Sequence, residues 1–193
     1  MQRSDILQAA AQIFRQKGYH AASMQDIANA VHLQKASLYH HVTGKQDILL
    51  AILDYALDLL IADLEEVVAT DLPPEEKLRQ AMRAYVGRLT QDADLAAVLL
   101  LEYRSLEAKT RAQHIKRRDR YEHIWRDLIK EGVEEKVFQP VDEVVATFAL
   151  LGVQNWMITW FKRGGPLTAE QLADRFCDFF LYGLLKHKGH PET

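Results

Sequence analysis

The feature that most constrains the fold is a run of short helical segments within the first fifty residues. Ser23 and Asp26 stand three residues apart just before an apolar pattern, which is the spacing of a helix N-terminal capping box. The helix that they open is predicted to end near Ala30. A tight turn at residues 31–33 then leads into a third short helix, predicted over residues 34–41.

A longer helix precedes this pair. Residues 4–17 carry apolar side chains three and four positions apart, which predicts one buried face, and Gly18 is a natural helix stop. Two short helices joined by a tight turn and braced by a third helix form a helix-turn-helix. In proteins that use this motif, the second short helix enters the major groove of DNA.

The rest of the chain also follows a helical period, without a convincing alternating strand. Further helices are predicted over about residues 43–69, 75–89, 94–101, 108–133, 141–162 and 169–186. Thr43 and Gln46 have capping-box spacing and predict the start of the fourth helix. The sequence therefore predicts an all-α fold of about nine helices. A three-helix DNA-binding domain is expected over residues 1–47, and a helical ligand-binding and dimerisation domain over residues 48–193.

Composition narrows the cellular setting. The net charge is −3, but residues 1–48 hold five basic against three acidic residues, or +2, which leaves −5 for the remainder. A slightly basic head on an acidic body suits a protein that touches phosphates at one end. The chain shows no export signal and no apolar run near the ~20 residues that a membrane span requires. A lone cysteine, Cys177, fits a reducing cytoplasm, where we expect the protein to act.

The head resembles a known family at five places: Ile13-Phe14, Gly18-Tyr19, Ile27-Ala28, residues 38–42 and residues 43–45. Together, at these spacings, they are similar to the N-terminal signature of TetR-type transcriptional regulators. Two positions depart from the usual pattern. His32 stands where the turn commonly has glycine, and Val42 stands where phenylalanine is common. The resemblance implies a homodimer that binds double-stranded operator DNA and releases it when a small molecule binds.

The expected DNA contacts follow from position in the motif. Lys35, at the start of the third helix, can reach the acceptor edge of a guanine, whereas Tyr39 and His41 are better placed for phosphates. Lys45 and the free amides beside it form a natural phosphate seat. The candidate DNA-binding residues are Ser23, Gln25, Gln34, Lys35, Ser37, Tyr39, His40, His41, Thr43 and Lys45. The alternatives are a solvated surface lysine for Lys35 and packing against the first helix for Tyr39.

The body resembles one branch of the same family over residues 101–133, 152–161 and 163–165. That branch includes regulators of fatty-acid, phenylacetate and steroid-ring degradation that respond to acyl-CoA thioesters, so an acyl-CoA is the expected effector. The candidate ligand-binding residues are Tyr103, Arg104, Arg118, Tyr121, Trp125, Asn155, Trp156, Trp160 and Arg163.

Two features of the body have competing interpretations. Trp156, Trp160 and Arg163 are predicted to share one helical face, because they stand at positions i, i+4 and i+7. They could stack an acyl or adenine group, or could simply pack in the core or the dimer interface. The basic run at residues 109–120 could receive the phosphates of a CoA tail or form a solvated face. The last two helices are too apolar for one chain to cover, which predicts a four-helix dimer interface.

Other classes of function fit poorly. The sequence has no glycine-rich phosphate loop, no nucleophile elbow and no metal-spaced cluster, so neither catalysis nor a cofactor is expected. His40 and His41 are adjacent on a helix and point about 100° apart, which disfavours a shared metal ion. An activator, a ligand-independent regulator and a drug-responsive repressor of an efflux pump remain alternatives within the same fold.

Overall fold

The computed structural model describes residues 3–183, and every regular element within them is helical, which confirms the all-α class. The helices are α1 (Arg3–Lys17), α2 (Met24–Ala30), α3 (Lys35–Leu38), α4 (Lys45–Val68), α5 (Pro74–Gln91), α6 (Ala93–Leu101), α7 (Ala108–Glu134), α8 (Glu143–Trp156) and α9 (Ala169–Tyr182). Short 3-10 turns at Tyr103–Ser105 and Met157–Thr159 follow α6 and α8. The part of the ninth helix predicted beyond residue 183 lies outside the described residues.

Local signals define α1 and α2. Gly18 has a φ of +78°, a conformation that favours glycine, and α1 ends before it. The predicted capping box is present: Ser23 Oγ accepts the Asp26 N–H at 3.1 Å, and Asp26 Oδ2 accepts the Ser23 N–H at 2.9 Å. His32, which stands where glycine is common, adopts a φ of 54° in the turn, and this left-handed conformation is one that histidine tolerates better than most residues. Residues 3–47 are called the head below, and residues 48–183 the body.

The third helix is shorter than predicted. It covers only Lys35–Leu38, and the chain tightens into turns over Tyr39, His40 and His41. The N–H groups of His40 and His41 donate to carbonyls three residues back, at 3.2 and 3.0 Å, so the last turn is of the 3-10 type.

The prediction that Thr43 and Gln46 cap the fourth helix is wrong. Gly44 is the N-cap residue of α4 and makes no side-chain cap. The Thr43 N–H instead donates to Asp47 Oδ2 at 3.0 Å, and the Gln46 amide leaves the helix end to contact the body. Capping-box spacing was present, but a tertiary partner competes for the glutamine.

The eighth helix is also shorter than predicted, beginning at Glu143 and ending at Trp156 rather than running over residues 141–162. Asp142 caps its start by accepting the N–H groups of Val144 and Val145, both at 3.0 Å. Beyond Trp156 the sequence is rich in aromatic and β-branched residues, which are weak helix formers, and Thr159 Oγ1 donates to the Trp156 carbonyl at 2.8 Å. Trp156, Trp160 and Arg163 therefore do not share a helical face.

Helix α4 links head to body. It packs against α1 in the head and against α5, α6 and α7 in the body, and its buried face runs without interruption from Ile48 to Leu64. The predicted domain boundary at residue 47 thus falls in the first turn of a continuous helix. At the far side, α5 and α9 are joined by ion pairs, including a bidentate contact of Arg83 with Asp174 at 2.6 and 2.9 Å.

Candidate DNA interface and effector site

The candidate DNA-reading surface is the outer face of α2 and α3. Gln34, Lys35, His40 and His41 are exposed, and Ser37 is half-buried. Tyr39 is 47% exposed, so its ring is available to a partner and is not buried against α1. The described part of the head thus presents hydrogen-bonding side chains around a four-residue helix whose only buried residue is Leu38.

The side chains of Ser23 and Gln25 are exposed, but both already make hydrogen bonds. The Ser23 hydroxyl belongs to the cap of α2, and Gln25 Nε2 donates to Asn29 Oδ1 at 2.8 Å. Lys17 contacts the same cap, at 2.6 Å from Asp26 Oδ1. Hydrogen bonds from Lys17 and Ser23 lower the pKa of Asp26 to about 2, so its carboxylate stays ionised at neutral pH.

Lys45, which was predicted to contact phosphate, is held by contacts within the head. Its ammonium donates to the carbonyls of Tyr19, His20 and Ala22 at 2.8, 3.3 and 2.9 Å, and it lies 4.5 Å from the centre of the Tyr19 ring. An ammonium has three protons, and three carbonyls accept them here. Lys45 therefore ties the α1–α2 loop to the start of α4, while the Thr43 hydroxyl stays on the exposed side.

The structure brings three predicted ligand residues together on the body. The Arg118 guanidinium lies 4.6 Å from the centre of the Tyr103 ring, and that of Arg104 lies 5.7 Å from it. Arg104 Nε also donates to the Tyr103 hydroxyl at 3.2 Å. This hydrogen bond, followed by the contact with Arg118, lowers the pKa of Tyr103. Among residues 3–183, neither guanidinium lies within ion-pair distance of a carboxylate.

Other cations of the basic run behave differently. Arg117 pairs with Asp54 at 3.6 Å and with Asp58, and Arg120 pairs with Glu65 at 2.7 Å. These pairs join α7 to α4. Within the basic run, Arg117 and Arg120 are therefore paired with carboxylates of α4, whereas Arg118, which contacts Tyr103, is not.

A second group of predicted ligand residues lies deeper in the body. Tyr121 and Trp125 on α7 pack edge-to-face at 6.3 Å, and both rings lie near Tyr85 of α5, at 6.1 and 6.2 Å. The Tyr85 hydroxyl donates to Asn155 Oδ1. Burial raises the pKa of Tyr85 and of Tyr121, so both phenols are neutral and can act as hydrogen-bond donors.

The body also buries polar atoms that have no hydrogen-bond partner. They include His114 Nδ1 and Nε2, Trp125 Nε1, Thr147 Oγ1 and Gln154 Oε1, and of these four residues only Trp125 was selected from the sequence. His114 is fully buried, with Nδ1 3.6 Å from Asp54 Oδ1, too long for a hydrogen bond. The helical spacing could have indicated these residues. On α7, His114 stands seven positions before Tyr121 and eleven before Trp125, so the three share one face. On α8, Thr147 stands seven positions before Gln154 and shares a face with it.

The remaining predicted ligand residues lie apart from this group. Trp160 packs edge-to-face on Phe176 of α9 at 6.3 Å, and Arg163 is exposed in the turn beyond it. Trp156 is 67% exposed and continues an apolar strip along α8 that includes Val145 and Phe148. On α9, large exposed apolar side chains occupy positions 179 and 182.

Other kinds of site find little support within residues 3–183. None of their helices is long and apolar enough to cross a membrane. Nor do these residues include a group of three or more histidine, cysteine or acidic side chains that could hold a metal ion. The buried Cys177 thiol has its pKa raised to about 11 by burial, so it is protonated at neutral pH.

Comparison with known proteins agrees with this geometry. Residues 6–52 match the family described as "Bacterial regulatory proteins, tetR family", and residues 71–184 match "Tetracyclin repressor-like, C-terminal domain". The HTH-type transcriptional repressor KstR2 of Mycobacterium tuberculosis is 27% identical over 186 residues, which span 95% of this chain and 93% of that protein.

Two solved structures extend the comparison. The TetR-family regulator PfmR of Thermus thermophilus superposes with a TM-score of 0.88 at 39% identity, over 94% of this chain and 99% of that one. AibR in complex with isovaleryl coenzyme A and operator DNA superposes with a TM-score of 0.85 at 33% identity, over 95% and 99%. This chain belongs to the TetR family of bacterial transcriptional regulators.

Proposed function

We propose that this chain is a transcriptional repressor that binds a palindromic operator as a homodimer and releases it when an acyl-CoA thioester fills the body. The observation that carries the effector assignment is the pair of guanidinium groups, Arg104 and Arg118, that flank Tyr103 without a carboxylate partner among the described residues. Uncompensated guanidinium groups are the usual protein ligands of phosphate.

The two halves of a CoA thioester match two neighbouring regions. The phosphates of the thioester suit Arg104 and Arg118. Its less charged arm suits the interior of the body beside them, which begins one turn of α7 after Arg118 and extends to α8, around Tyr121, Trp125 and Asn155. Buried polar groups without partners are costly, by about 1–3 kcal/mol each, and an effector with carbonyl or amide groups would relieve that cost. A neutral apolar drug would leave both sets of groups unsatisfied, which argues against the efflux-pump alternative.

A dimer through the last two helices accounts for the apolar strip. Phe148 is 56% exposed, and with Val145, Trp156, Phe179 and Tyr182 it forms an exposed apolar face on α8 and α9. Soluble proteins seldom leave such a face in water, and pairing it with its symmetry mate gives a four-helix bundle. We therefore assign Trp156 to the dimer interface rather than to the effector. Trp160 and Arg163 remain candidates for the entrance to the effector site.

The head supplies the DNA contacts. Lys35 and Gln34 begin α3 and are free to reach base edges, while Tyr39, His40, His41 and the Thr43 hydroxyl are proposed to position the helix on phosphates. The effector must bind more tightly to the dimer conformation whose heads do not fit the operator. A ligand with equal affinity for both conformations would not shift the equilibrium between them. An activator of the same fold would use the same DNA contacts at an operator placed differently in the promoter. We expect either kind of regulator to act in the cytoplasm of a bacterium.

Operator selection tests the DNA-reading assignment. Duplexes selected from random sequence should contain a palindrome, and their affinity should fall steeply with salt because phosphate contacts dominate. Lys35→Ala should relax the preference at one base position per half-site, at a cost of about 1–3 kcal/mol. Unchanged affinity and preference in this variant would contradict the base-reading role of Lys35.

A further inference from the structure

A groove opens where the ends of α5, α7, α8 and α9 meet, at the last of the described residues. It encloses about 630 Å³ and is lined mainly by apolar side chains, among them Leu78, Ile129, Val137, Phe138, Leu150 and Phe180. Val137 lies at the rim and is 44% exposed. We call this space the C-terminal groove. Its lining favours an apolar occupant, because apolar surface left in water is unfavourable.

Helix α9 ends at this groove. Gly183 is one of the residues that line it, and the Gly183 N–H closes the helix by donating to the Phe179 carbonyl at 2.9 Å. Gly183 has a φ of 65° and a ψ of −160°, a combination that is essentially confined to glycine and that ends the helical path. Ten residues follow, and the first two are Leu184 and Leu185. Two large apolar side chains thus come directly after a residue of the groove.

A carboxylate adds a charge to the C-terminal groove. Glu75 is part of the lining, and its Oε2 is buried without a hydrogen-bond partner among the described residues. Helices α5 and α9 run antiparallel, as shown by two ion pairs that stand four residues apart on each helix, Arg83–Asp174 and Arg79–Asp178. One more step of four residues places Glu75 level with residue 182. The chain that follows Gly183 therefore starts beside an acidic group.

The residues after Gly183 have the matching charge. Residues 184–193 contain two lysines, Lys186 and Lys188, and a single acidic residue, Glu192. Lys186 follows Gly183 by three residues, which span at most about 10 Å. Its ammonium is therefore within reach of a carboxylate that lies level with residue 182.

We propose that residues 184–186 occupy the C-terminal groove of their own chain, with Leu184 and Leu185 against its apolar lining and Lys186 paired with Glu75. The segment then covers apolar surface of α5, α7 and α8 and ties these helices to the end of α9. A second copy is the less suitable occupant, because the exposed apolar face proposed for the dimer shares only Tyr182 with the groove. The contact requires neither effector nor DNA.

Substitution of the two leucines in the full-length chain tests the apolar contact. Leu184→Asp combined with Leu185→Asp should lower Tm by about 5 °C or more, since two buried leucines are lost, and should leave the sedimentation coefficient unchanged. The matched control adds the same charge beyond the proposed contact: His190→Asp combined with Thr193→Asp should change Tm by less than about 1 °C. An unchanged Tm in the leucine variant would overturn the proposal. So would a lower sedimentation coefficient, which would place the leucines against another copy.

A double-mutant cycle tests the ion pair. Glu75 lies in the first turn of α5, where a carboxylate is favourable by itself, so the cycle compares Glu75→Gln in two backgrounds. In the Lys186→Ala background, the loss of Tm caused by Glu75→Gln should be smaller by about 2 °C than in the unchanged chain. In the control background, Lys188→Ala, the loss should keep its full size. Equal losses in the Lys186→Ala background and the unchanged chain would overturn the pairing of Lys186 with Glu75.

Discussion

The head and the body treat polar and apolar groups in opposite ways. In the head, every buried polar side-chain atom that the structure describes has a partner, and Tyr39 is its one large apolar side chain with high exposure. In the body, polar atoms of His114, Trp125, Thr147 and Gln154 are buried without partners, and apolar side chains line an exposed face. The described part of the head thus leaves little unsatisfied, whereas the body has the unpartnered polar atoms and the exposed apolar face that the proposed effector and a second copy would cover.

The largest expected effect is on the exposed face of α8. Phe148→Asp should give monomers that do not bind operator, because an unpaired carboxylate in an apolar bundle costs several kcal/mol. Sedimentation velocity would measure the change. Ile115→Asp is the matched control, since Ile115 is an exposed apolar residue on α7 and its substitution should leave the dimer intact. A stable dimer of the Phe148 variant would place the interface elsewhere.

The next effect concerns Lys45 and separates a clamp from a phosphate contact. Lys45→Met removes three hydrogen bonds from a charged donor and should lower the free energy of unfolding by about 1.5–3 kcal/mol. Urea denaturation measures this loss. The salt dependence of operator binding should keep its slope, because no phosphate contact is removed. Unchanged stability with a flatter salt slope would restore the phosphate contact that the sequence suggested.

The smallest effects compare one kind of substitution in the two regions. Ser23→Ala removes the cap of α2 and should lower the free energy of unfolding by about 0.5–2 kcal/mol. Thr147→Val removes a buried hydroxyl without a partner and should raise that free energy by about 1 kcal/mol. Opposite signs in thermal and urea denaturation would support the contrast between head and body. A destabilised Thr147 variant would show that its hydroxyl is satisfied in solution.

The sequence predicted the features that depend on neighbouring residues and missed those that depend on residues distant in the chain. The capping box of Ser23 and Asp26, the stop at Gly18 and the unusual turn at His32 depend on a few neighbouring residues, and all were predicted correctly. Gln46 had the spacing of a cap but bonds Ser105, some sixty positions away, which no local pattern reveals. The end of α8 at Trp156 was missed because an apolar pattern continues past the point where helix formation becomes unfavourable.

For the proposed effector site, the sequence could suggest candidate residues but not which of them lie together. Tyr103, Arg104 and Arg118 were selected through resemblance and do meet, whereas Trp156, Trp160 and Arg163 depended on a helix that ends too early. Lys45 was assigned to DNA because lysine at a helix start suits phosphate, but the α1–α2 loop offers its ammonium three carbonyls at closer range. Long-range competition for a polar group decides the case of Lys45, whereas the end of α8 decides that of Trp156, Trp160 and Arg163.

The measurement that tests the central claim most directly is operator release by a CoA thioester. Isovaleryl-CoA and a panel of longer and aromatic acyl-CoAs would be titrated into the protein–operator complex, with free CoA and the free acids as controls. Some acyl-CoA should release operator and raise Tm at matching concentrations, with Arg118→Ala weakening that response by about tenfold or more and Lys116→Ala leaving it unchanged. A panel in which no acyl-CoA shifts Tm or operator affinity would contradict the effector assignment.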